Sequence, residues 1–595
     1  MPGEQLSSTY SERITRFEDA IQKQTGRINL LSLARLVVLV SAIWILVPGI
    51  RNHEILLYAA SFLLAVLFLF LVTVFNRYKG KRELLRKLRQ LNEVELACLD
   101  HRYGDRPDGA EYTDLSHPWA HDLDLFGKGS LFQYLNRTST EGGGRILAGM
   151  LTLEPGNAQR IRDRQDILAD LKDRIDFRQY FTATGELLKE KPGDQGDLSR
   201  WTGSTAYISR HSWLFYLALG VSLCSLTSII WGMFDPSRFF YLLYLLVINM
   251  MVLSPFILRT QRYQEAISRK HALLEGYARL LGQIAGTSFE HAGLQDLQRE
   301  AVEGMRNVAH LSKLLQIFDQ RLNMLLGSVL NGLFLFDFIM LFLLERWKRQ
   351  HRQDIMGWIE ITGRMDALIS LSGFAFNHPD FSLPEFDEDA ASMELRGLGH
   401  PLIPAHRRVN NDLVVAGEKV VVITGANMAG KSTFLRSMGV NMVLGYAGCP
   451  VCASGFRCAY MGLQSSMRTA DSLKDDESYF LAEIRKLQRI VHQMEQGKPM
   501  LILLDEVLKG TNTTDKKLGS VGLIRKSLNY PVRFLIATHD LSLGELEKEY
   551  PGQVVNYCFE SYIRGMELSF DYTIRKGIAT NMNASFLMKK MGIMD

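Results

Sequence analysis

The sequence predicts a mixed fold, with an α/β domain at the C-terminal end and a mostly helical region before it that carries apolar hairpins. Two unbroken apolar runs, 420–423 and 500–504, are typical of strands buried on both faces of a parallel sheet. Four nearly uncharged runs of about 20 residues are each long enough to cross a bilayer as a helix. These runs are 30–50, 55–75, 213–234 and 239–258.

A glycine-rich loop follows the first predicted strand, and a helical pattern follows the loop. This order of strand, loop and helix is the one that a phosphate-binding loop requires. Gly425 and Gly430 let the backbone bend so that successive N–H groups surround an anion, and the positive end of the helix adds to the attraction. Lys431 can then reach the β- and γ-phosphates of a nucleotide. The predicted nucleotide-binding residues are Gly425, Ala426, Asn427, Met428, Ala429, Gly430, Lys431, Ser432 and Thr433.

Two further predicted strands end in polar side chains, Asp505 and Glu506 on one and His539 on the other. Ser432 and Asp505 are predicted to ligate Mg²⁺, because both offer the oxygen ligands that this ion prefers. Glu506 is predicted to orient or deprotonate the attacking water, and His539 to sense the γ-phosphate. The sequence therefore predicts a Mg²⁺-dependent ATPase that binds ATP.

The composition leaves the choice of partner open. A net charge of +4 neither requires nor excludes nucleic acid, because local patches matter more than the total. The six cysteines are scattered through a chain with a nucleotide site, which favours free thiols over a disulfide framework. Cys449, Cys452 and Cys458 are close in sequence but lack a fourth partner nearby, so they do not predict a zinc site.

The apolar runs pair into two predicted transmembrane hairpins, since short polar links join the first run to the second and the third to the fourth. A helical hairpin buried in a large soluble core is the alternative. Basic residues follow each hairpin, and by the positive-inside rule they stay in the cytoplasm. After the first hairpin they are Arg77, Lys79, Lys81, Arg82, Arg86, Lys87 and Arg89, and after the second Arg259, Arg262, Arg269 and Lys270. Both hairpins therefore place the N-terminus and the ATPase domain in the cytoplasm.

Seven segments follow from these patterns. They are a cytoplasmic N-terminal helix (1–29), transmembrane hairpin 1 (30–76), a basic cytoplasmic linker (77–119), a helical core domain, first part (120–210), transmembrane hairpin 2 (211–259), a helical lever region that forms the second part of the core (260–389) and the ATPase domain (390–595). Within the lever region, the apolar stretch 322–344 contains Asp337. We expect a protein-buried or membrane-surface helix there, because a charge at mid-membrane is costly and a fifth crossing would put the phosphate loop outside.

Several motifs resemble those of the MutS family of DNA mismatch-repair ATPases. The loop Gly425–Thr433 is similar to that family's G-P-N-M-G-G-K-S-T, in which Asn-Met is unusual among phosphate loops. The further matches are Ala470–Leu473 to A-D-D-L, Ser478–Glu483 to S-T-F-M-x-E, Asp505–Asp515 to D-E-I-G-R-G-T-S-T-x-D and Ala537–His539 to A-T-H. Leu123–Pro155 is similar to the segment that opens the family's helical core domain, so the resemblance covers 120–210 and 345–595.

The resemblance implies an α/β P-loop ATPase domain of the type shared with ATP-binding-cassette proteins, joined to an all-α core domain with lever helices. It implies that two ATPase domains pair face to face in a homodimer. Ser478 would approach the γ-phosphate bound by the other subunit, and Asp515 would lie at the shared interface. A helix N-cap is the alternative role for Ser478. Before residue 120 the chain departs from the family, because membrane spans stand where a mismatch-reading domain is expected.

Two functions remain in view. The first is a multi-pass MutS-like ATPase of the cytoplasmic (inner) membrane that binds DNA, with the basic flanks touching phosphates. Those flanks also fit a role in topology or in binding anionic lipid. The alternative is an ATP-driven membrane switch without a nucleic-acid role, motivated by the hairpin inserted in the core domain. A transporter of the ATP-binding-cassette class is disfavoured, because the sequence lacks an L-S-G-G-Q-like signature and has few spans.

Overall fold

A helical part precedes an α/β part. The computed structural model describes residues 2–580 except 53, 155, 189, 205–211, 236, 238–239, 257–259, 262–269, 389–391, 469–478, 509–510 and 565–566. The helices of the first part are α1 (Pro2–Asn52), α2 (Ile55–Leu99), α3 (Leu131–Leu135), α4 (Glu141–Thr152), α5 (Ala158–Lys172), α6 (Ile175–Glu186), α7 (Asp194–Gly203), α8 (Ser212–Phe234), α9 (Phe240–Leu253), α10 (His271–Ala285), α11 (Ala292–Phe318), α12 (Met324–Phe334), α13 (Phe336–His351) and α14 (Ile355–Asn377).

Helices α1 and α2 pack along each other as one long hairpin. The predicted N-terminal helix and first span are a single helix, and α2 continues from the second span through most of the predicted linker to Leu99. Good helix formers and the absence of proline in 79–99 explain the continuation. Apolar side chains such as Trp44 and Phe62 are exposed near the turn of the hairpin, whereas Phe17 and Leu88 are buried at its open end.

Helices α8 and α9 form the second apolar hairpin. Within the described residues, α1, α2 and α8 are long and apolar enough to cross a membrane, while the helix over Phe240–Phe256 is shorter than the predicted fourth span. The stretch 322–344 forms two helices, α12 and α13, that meet at an angle of 86°. The expectation of a single helix there was therefore wrong, because Leu335 takes a left-handed conformation and ends α12.

Helix α14 is the centre of the helical domain and is buried along most of its length. It packs against α4, α5, α10 and α11. The carboxylate of Asp366 accepts hydrogen bonds from the backbone N–H groups of Ser139 (2.8 Å) and Thr140 (2.9 Å), which caps the start of α4. A side chain at Gly143 would collide with this carboxylate, so the close approach of the two helices requires glycine.

The described residues of the α/β part form two sheets. Its strands are β1 (Glu385–Asp387), β2 (Met393–Leu398), β3 (Asn411–Val415), β4 (Val420–Gly425), β5 (Gly455–Ala459), β6 (Gly462–Ser466), β7 (Met500–Asp505), β8 (Val532–Thr538), β9 (Val554–Arg564) and β10 (Glu567–Lys576), and its helices are α15 (Lys431–Tyr446), α16 (Tyr479–Glu495), α17 (Thr513–Ser527) and α18 (Leu546–Glu549). The large sheet has the order β10-β9-β4-β8-β7-β6, and the small sheet β1-β5-β2-β3. In the large sheet β9, β4, β8, β7 and β6 are parallel to their neighbours, and only β10 is antiparallel.

Strand β4 is buried on both faces of the large sheet, as its unbroken apolar sequence predicts. Val420 and Val422 join a core on one face, together with Phe534 of β8. Val421 and Ile423 join the larger core on the other face, which continues into the helical domain. The continuous core attaches the α/β part to the helical part.

Candidate functional site

The glycine-rich loop connects the carboxyl end of β4 to the start of α15, as predicted. Gly425 has a φ of 150°, and a Cβ there would lie 2.6 Å from the carbonyl oxygen of Phe559. Gly430 has a φ of 112° and directly precedes α15. Met428 also has a positive φ, 69°, which is uncommon for a residue with a side chain and is typical of functional loops. The loop therefore has the bent backbone that phosphate binding needs.

Lys431 folds its side chain back over this loop. Its Nζ donates hydrogen bonds to the carbonyl oxygens of Gly425 (2.7 Å) and Ala426 (2.9 Å), and the side chain is buried. A buried ammonium must have partners, and the loop carbonyls provide them. The positive charge consequently lies at the loop, beside the N-terminal end of α15, where an anion is favoured.

The predicted acids and histidine end neighbouring strands. Asp505 ends β7 and is buried, and Glu506 follows it with a positive φ of 54°. The N–H of Glu506 donates a 2.9 Å hydrogen bond to the carbonyl oxygen of Ala537, which fixes the end of β7 against β8. Nδ1 of His539 lies 3.2 Å from Oε1 of Glu506. Because β8 lies between β4 and β7, the structure brings these two side chains together at the loop edge of the sheet.

Glu483 supports this edge, although the sequence analysis gave it no role. It lies on α16, is 4% exposed, and accepts a 2.6 Å hydrogen bond at Oε1 from the N–H of Leu508. Leu508 has a φ of 59°, so this bond holds an unfavourable turn just after the two acids. The only sequence signal for Glu483 was its place at the end of the S-T-F-M-x-E match.

The remaining predicted site residues are more accessible. Ser432 is partly exposed, and Asn427 and Thr433 are exposed. Asp515 is exposed in the first turn of α17, where its N–H donates a 2.9 Å hydrogen bond to Oδ1 of Asn512, the N-cap. Ser478 lies outside the described residues, as do Ala470–Leu473.

A cavity of about 420 Å³ opens beside the loop, and sequence reasoning missed it. Its aromatic lining consists of Phe434, Phe559 and Tyr572, next to Gly430 of the loop. Tyr572 has a φ of 54° and lies in a β-bulge between Phe570 and Ile574. A bulge redirects a side chain out of the regular pleat, and here it points Tyr572 to the rim of the cavity. Helix α15 and strands β9 and β10 contribute these residues, so no local motif marks them.

Polar residues complete the cavity wall, among them His400 and Asn411. Burial, assisted by the positive charge of Arg436, lowers the pKa of His400 to about 4, so its ring is neutral at neutral pH. Asn411 joins the small sheet to the bulge, donating to the carbonyl oxygen of Tyr572 (3.0 Å) and accepting from the N–H of Ile574 (2.7 Å). The cavity wall is thus fixed by hydrogen bonds across both sheets.

The cysteines in this domain are buried thiols. Burial raises the pKa of Cys452 and Cys458 to about 12, and that of Cys449 further, so all three are neutral and unreactive. No group of three or more His, Cys, Asp or Glu side chains in the described part of the chain is arranged to hold a metal ion.

The strand, bent loop, buried lysine and strand-end acids define a P-loop nucleotide-binding domain. Comparison with protein families matches residues 421–590 to MutS domain V. The C-terminal part of the chain therefore contains a domain that is similar to MutS domain V.

Curated relatives agree with this assignment. The DNA mismatch repair protein MutS of Thermotoga sp. strain RQ2 is 30% identical over 251 residues, which are 42% of this chain and 31% of that protein. The human MutS protein homolog 4 is 30% identical over 231 residues, 37% of this chain and 24% of that protein. The DNA mismatch repair protein MSH3 of Phaeosphaeria nodorum is 28% identical over 238 residues, 38% and 21% of the two chains. The chain therefore matches between 21% and 31% of the length of these relatives.

Proposed function

We propose that this protein is a membrane-anchored ATPase that hydrolyses ATP with Mg²⁺. The observation that carries the proposal is the meeting of the phosphate loop, Lys431 and the Glu506–His539 pair at one edge of one parallel sheet. The match to MutS domain V supports it independently.

The residues divide the chemistry between them. The N–H groups of the loop 425–433 bind the phosphates, and Lys431 exchanges its loop carbonyls for phosphate oxygens. Ser432 and Asp505 offer a hydroxyl and a carboxylate oxygen, a donor set that suits Mg²⁺, which when bound neutralises charge on the phosphates. Glu506 positions the attacking water, and His539 holds that carboxylate and senses the γ-phosphate.

We place the adenine of ATP in the cavity beside the loop. The cavity adjoins the start of α15, where the phosphates bind, and offers aromatic faces from Phe559 and Tyr572. Its volume of about 420 Å³ fits a small-molecule site. Aromatic stacking then adds to the affinity for the base.

We propose that two copies pair through their ATPase domains. Met428 on the loop and Leu518 on α17 are large apolar side chains that are exposed. Asp515 lies in the first turn of α17 and belongs to the same proposed interface. Ser478, which directly precedes α16, would reach the nucleotide of the partner.

The anchor is proposed to be multi-pass in the cytoplasmic membrane, with the N-terminus and ATPase domain in the cytoplasm. Helices α1, α2 and α8 have the length and the composition of membrane spans, and many of their apolar side chains are exposed. Such a surface is unusual for a soluble protein and is satisfied by lipid.

DNA is the proposed ligand of the ATPase, since the curated relatives are named for DNA mismatch repair. The basic flank after hairpin 1 offers DNA less free positive charge than its sequence implies, because several of its residues form ion pairs within the protein. Arg86 and Lys87 pair with Glu83 (3.0 Å) and Glu186 (3.0 Å), and Arg89 pairs with Glu18. We expect duplex binding that weakens with salt, and no binding at low ionic strength would exclude this ligand.

An ATP-driven membrane switch without nucleic acid is the second candidate. It is favoured by one observation, the direct attachment of hairpin 1 to the end of α14, which leads into the α/β part. Closure of the ATPase domains would then be transmitted to the membrane helices. Crosslinks between spans that are identical with and without a non-hydrolysable ATP analogue would contradict it.

The ATPase assignment is tested with the full-length protein in detergent or lipid. Glu506→Gln is expected to bind ATP and retain it unhydrolysed, because the amide cannot take a proton from water. Lys431→Ala is expected to lose ATP binding, and the exposed Lys498→Ala serves as the matched control. Full turnover by either site variant would refute the assigned roles.

A further inference from the structure

The break between α12 and α13 has an unusual polar environment. The C-terminal turn of a helix leaves carbonyl oxygens without partners in the helix. Here the carbonyl of Gly332 accepts a 2.7 Å hydrogen bond from Nδ2 of Asn249, and that of Phe334 accepts a 3.0 Å bond from the hydroxyl of Ser222. The hydroxyl of Ser225 donates to the carbonyl of Leu333 in the same way. Side chains of α8 and α9 therefore satisfy three successive carbonyls of the broken helix.

The charge at the break is also satisfied internally. Asp337, in the first turn of α13, is 4% exposed and forms a 3.0 Å ion pair with Arg321. Its N–H donates to Oδ1 of Asn331 (2.9 Å), and Nδ2 of Asn331 donates to Oδ1 of Asp337 (3.1 Å). A broken helix is tolerated at membrane depth only where its freed polar groups find such partners in the protein.

The outer surface of the same segment is apolar. Leu325 of α12 is 82% exposed, and Leu326 and Val329 are also exposed. Helix α12 packs on both α8 and α9, so this surface continues the exposed apolar faces of hairpin 2, including Leu223 and Ile248. With polar groups turned inward and apolar groups outward, the surface matches hydrocarbon rather than water.

Both ends of the segment are tied to the helical domain. Before α12, Asp319 accepts a 2.9 Å hydrogen bond from Nδ1 of His271 at the start of α10. After the break, Phe342 of α13 stacks on Phe215 near the start of α8, with a centroid distance of 4.2 Å. Near its end, Nζ of Lys348 donates to the hydroxyl of Ser204 (2.9 Å). The chain therefore leaves and rejoins the same domain.

We propose that residues 322–344 form a re-entrant membrane segment, in which α12 lies in the hydrocarbon layer beside hairpin 2 and α13 returns to the ATPase side. The partner of the exposed α12 face is lipid acyl chains. The inference rests on the proposed membrane anchor and adds to it that the segment does not cross. It also keeps the phosphate loop in the cytoplasm.

The test uses single cysteines in the full-length protein with Cys224→Ser, since Cys224 is the exposed cysteine and the others are buried. Gln316→Cys and Gln353→Cys flank the segment at exposed positions, and Leu325→Cys reports on α12. In membrane vesicles, the two flanking cysteines are expected to react with an impermeant maleimide from the same face. A thiol-linked fluorophore on Leu325→Cys is expected to be quenched by spin labels on lipid acyl chains.

Reaction of the flanking cysteines from opposite faces would show a crossing and overturn the proposal. So would impermeant labelling of Leu325→Cys without quenching by lipid, which would place α12 in water. The exposed α1 position Leu36→Cys separates the two hypotheses. Quenching at Leu36→Cys but not at Leu325→Cys refutes only the re-entrant segment, whereas no quenching at either refutes the membrane anchor as well.

Discussion

The hydroxyl of Tyr10 donates a 2.6 Å hydrogen bond to Oδ1 of Asn377, although 367 residues separate the two. Nδ2 of Asn377 in turn donates to Glu95 of α2 (2.8 Å), and Glu95 pairs with Arg137 (2.6 Å). This buried network joins both arms of hairpin 1 to the last residue of α14. Asn377 therefore links hairpin 1 to the helix that leads into the ATPase domain, and a motion of one can be transmitted to the other.

Tyr10→Phe tests the energetic importance of this network. The variant leaves Oδ1 of Asn377 buried without its donor, which is expected to cost about 1–3 kcal/mol of unfolding free energy. Tyr180→Phe, at an exposed tyrosine, is the matched control. Urea unfolding in detergent measures both, and equal midpoints for the two variants would show that the network contributes nothing.

A second contact joins the helical domain to the ATPase edge. The carboxylate of buried Asp122 accepts from Nζ of Lys486 (2.6 Å), from the hydroxyl of Ser465 (2.6 Å) and from the N–H of Arg468 (3.0 Å). Asp122→Asn is expected to destabilise the protein because it removes the charged acceptor of these hydrogen bonds. The expected loss is limited to about 1–3 kcal/mol, since the partly exposed Lys486 can turn to water. Lower ATP turnover should accompany it, since Arg468 directly precedes the segment with Ser478. Asp105→Asn, at an exposed carboxylate, is the control for both measurements.

The proposed adenine cavity predicts a selective loss in Tyr572→Ala. Loss of a stacking face is expected to weaken ATP binding by about 1–3 kcal/mol. Affinity for inorganic tripolyphosphate should be unchanged, because that ligand uses only the loop and Lys431. Titration calorimetry with the two ligands distinguishes these effects, and equal weakening of both would place the base elsewhere. Tyr562→Ala on β9 is the control.

The depressed pKa of His400 predicts acid sensitivity. The pKa of His400 is about 4 in the folded protein and about 6.5 in the unfolded chain. Between these two pH values the unfolded chain binds the proton and the folded protein does not. Stability is therefore lost as the pH falls from about 6.5 to 4, by about 1–2 kcal/mol at pH 5 for this partly exposed ring. His400→Gln should flatten this part of the stability profile, whereas His492→Gln at an exposed position should not. Identical profiles for the wild type and His400→Gln would contradict the prediction.

Local patterns predicted the central strand, the phosphate loop and the following helix, and the structure confirms their order. They also predicted that the acids and the histidine end strands. They did not predict that α2 runs on to Leu99, because a charged helix and a solvated linker have similar composition. They also missed the break at Leu335, because that position carries neither a proline nor a glycine.

The sequence by itself determined the glycine-rich loop and the lysine that follows it, because the bends at Gly425 and Gly430 and the charge of Lys431 depend on neighbours in the chain. Only the tertiary structure decided that β8 lies between β4 and β7, which brings His539 to Glu506. It also decided that Tyr572 meets the loop and that Asn249 caps a broken helix. Such contacts join residues far apart in sequence, and their energy exists only once strands and helices have packed.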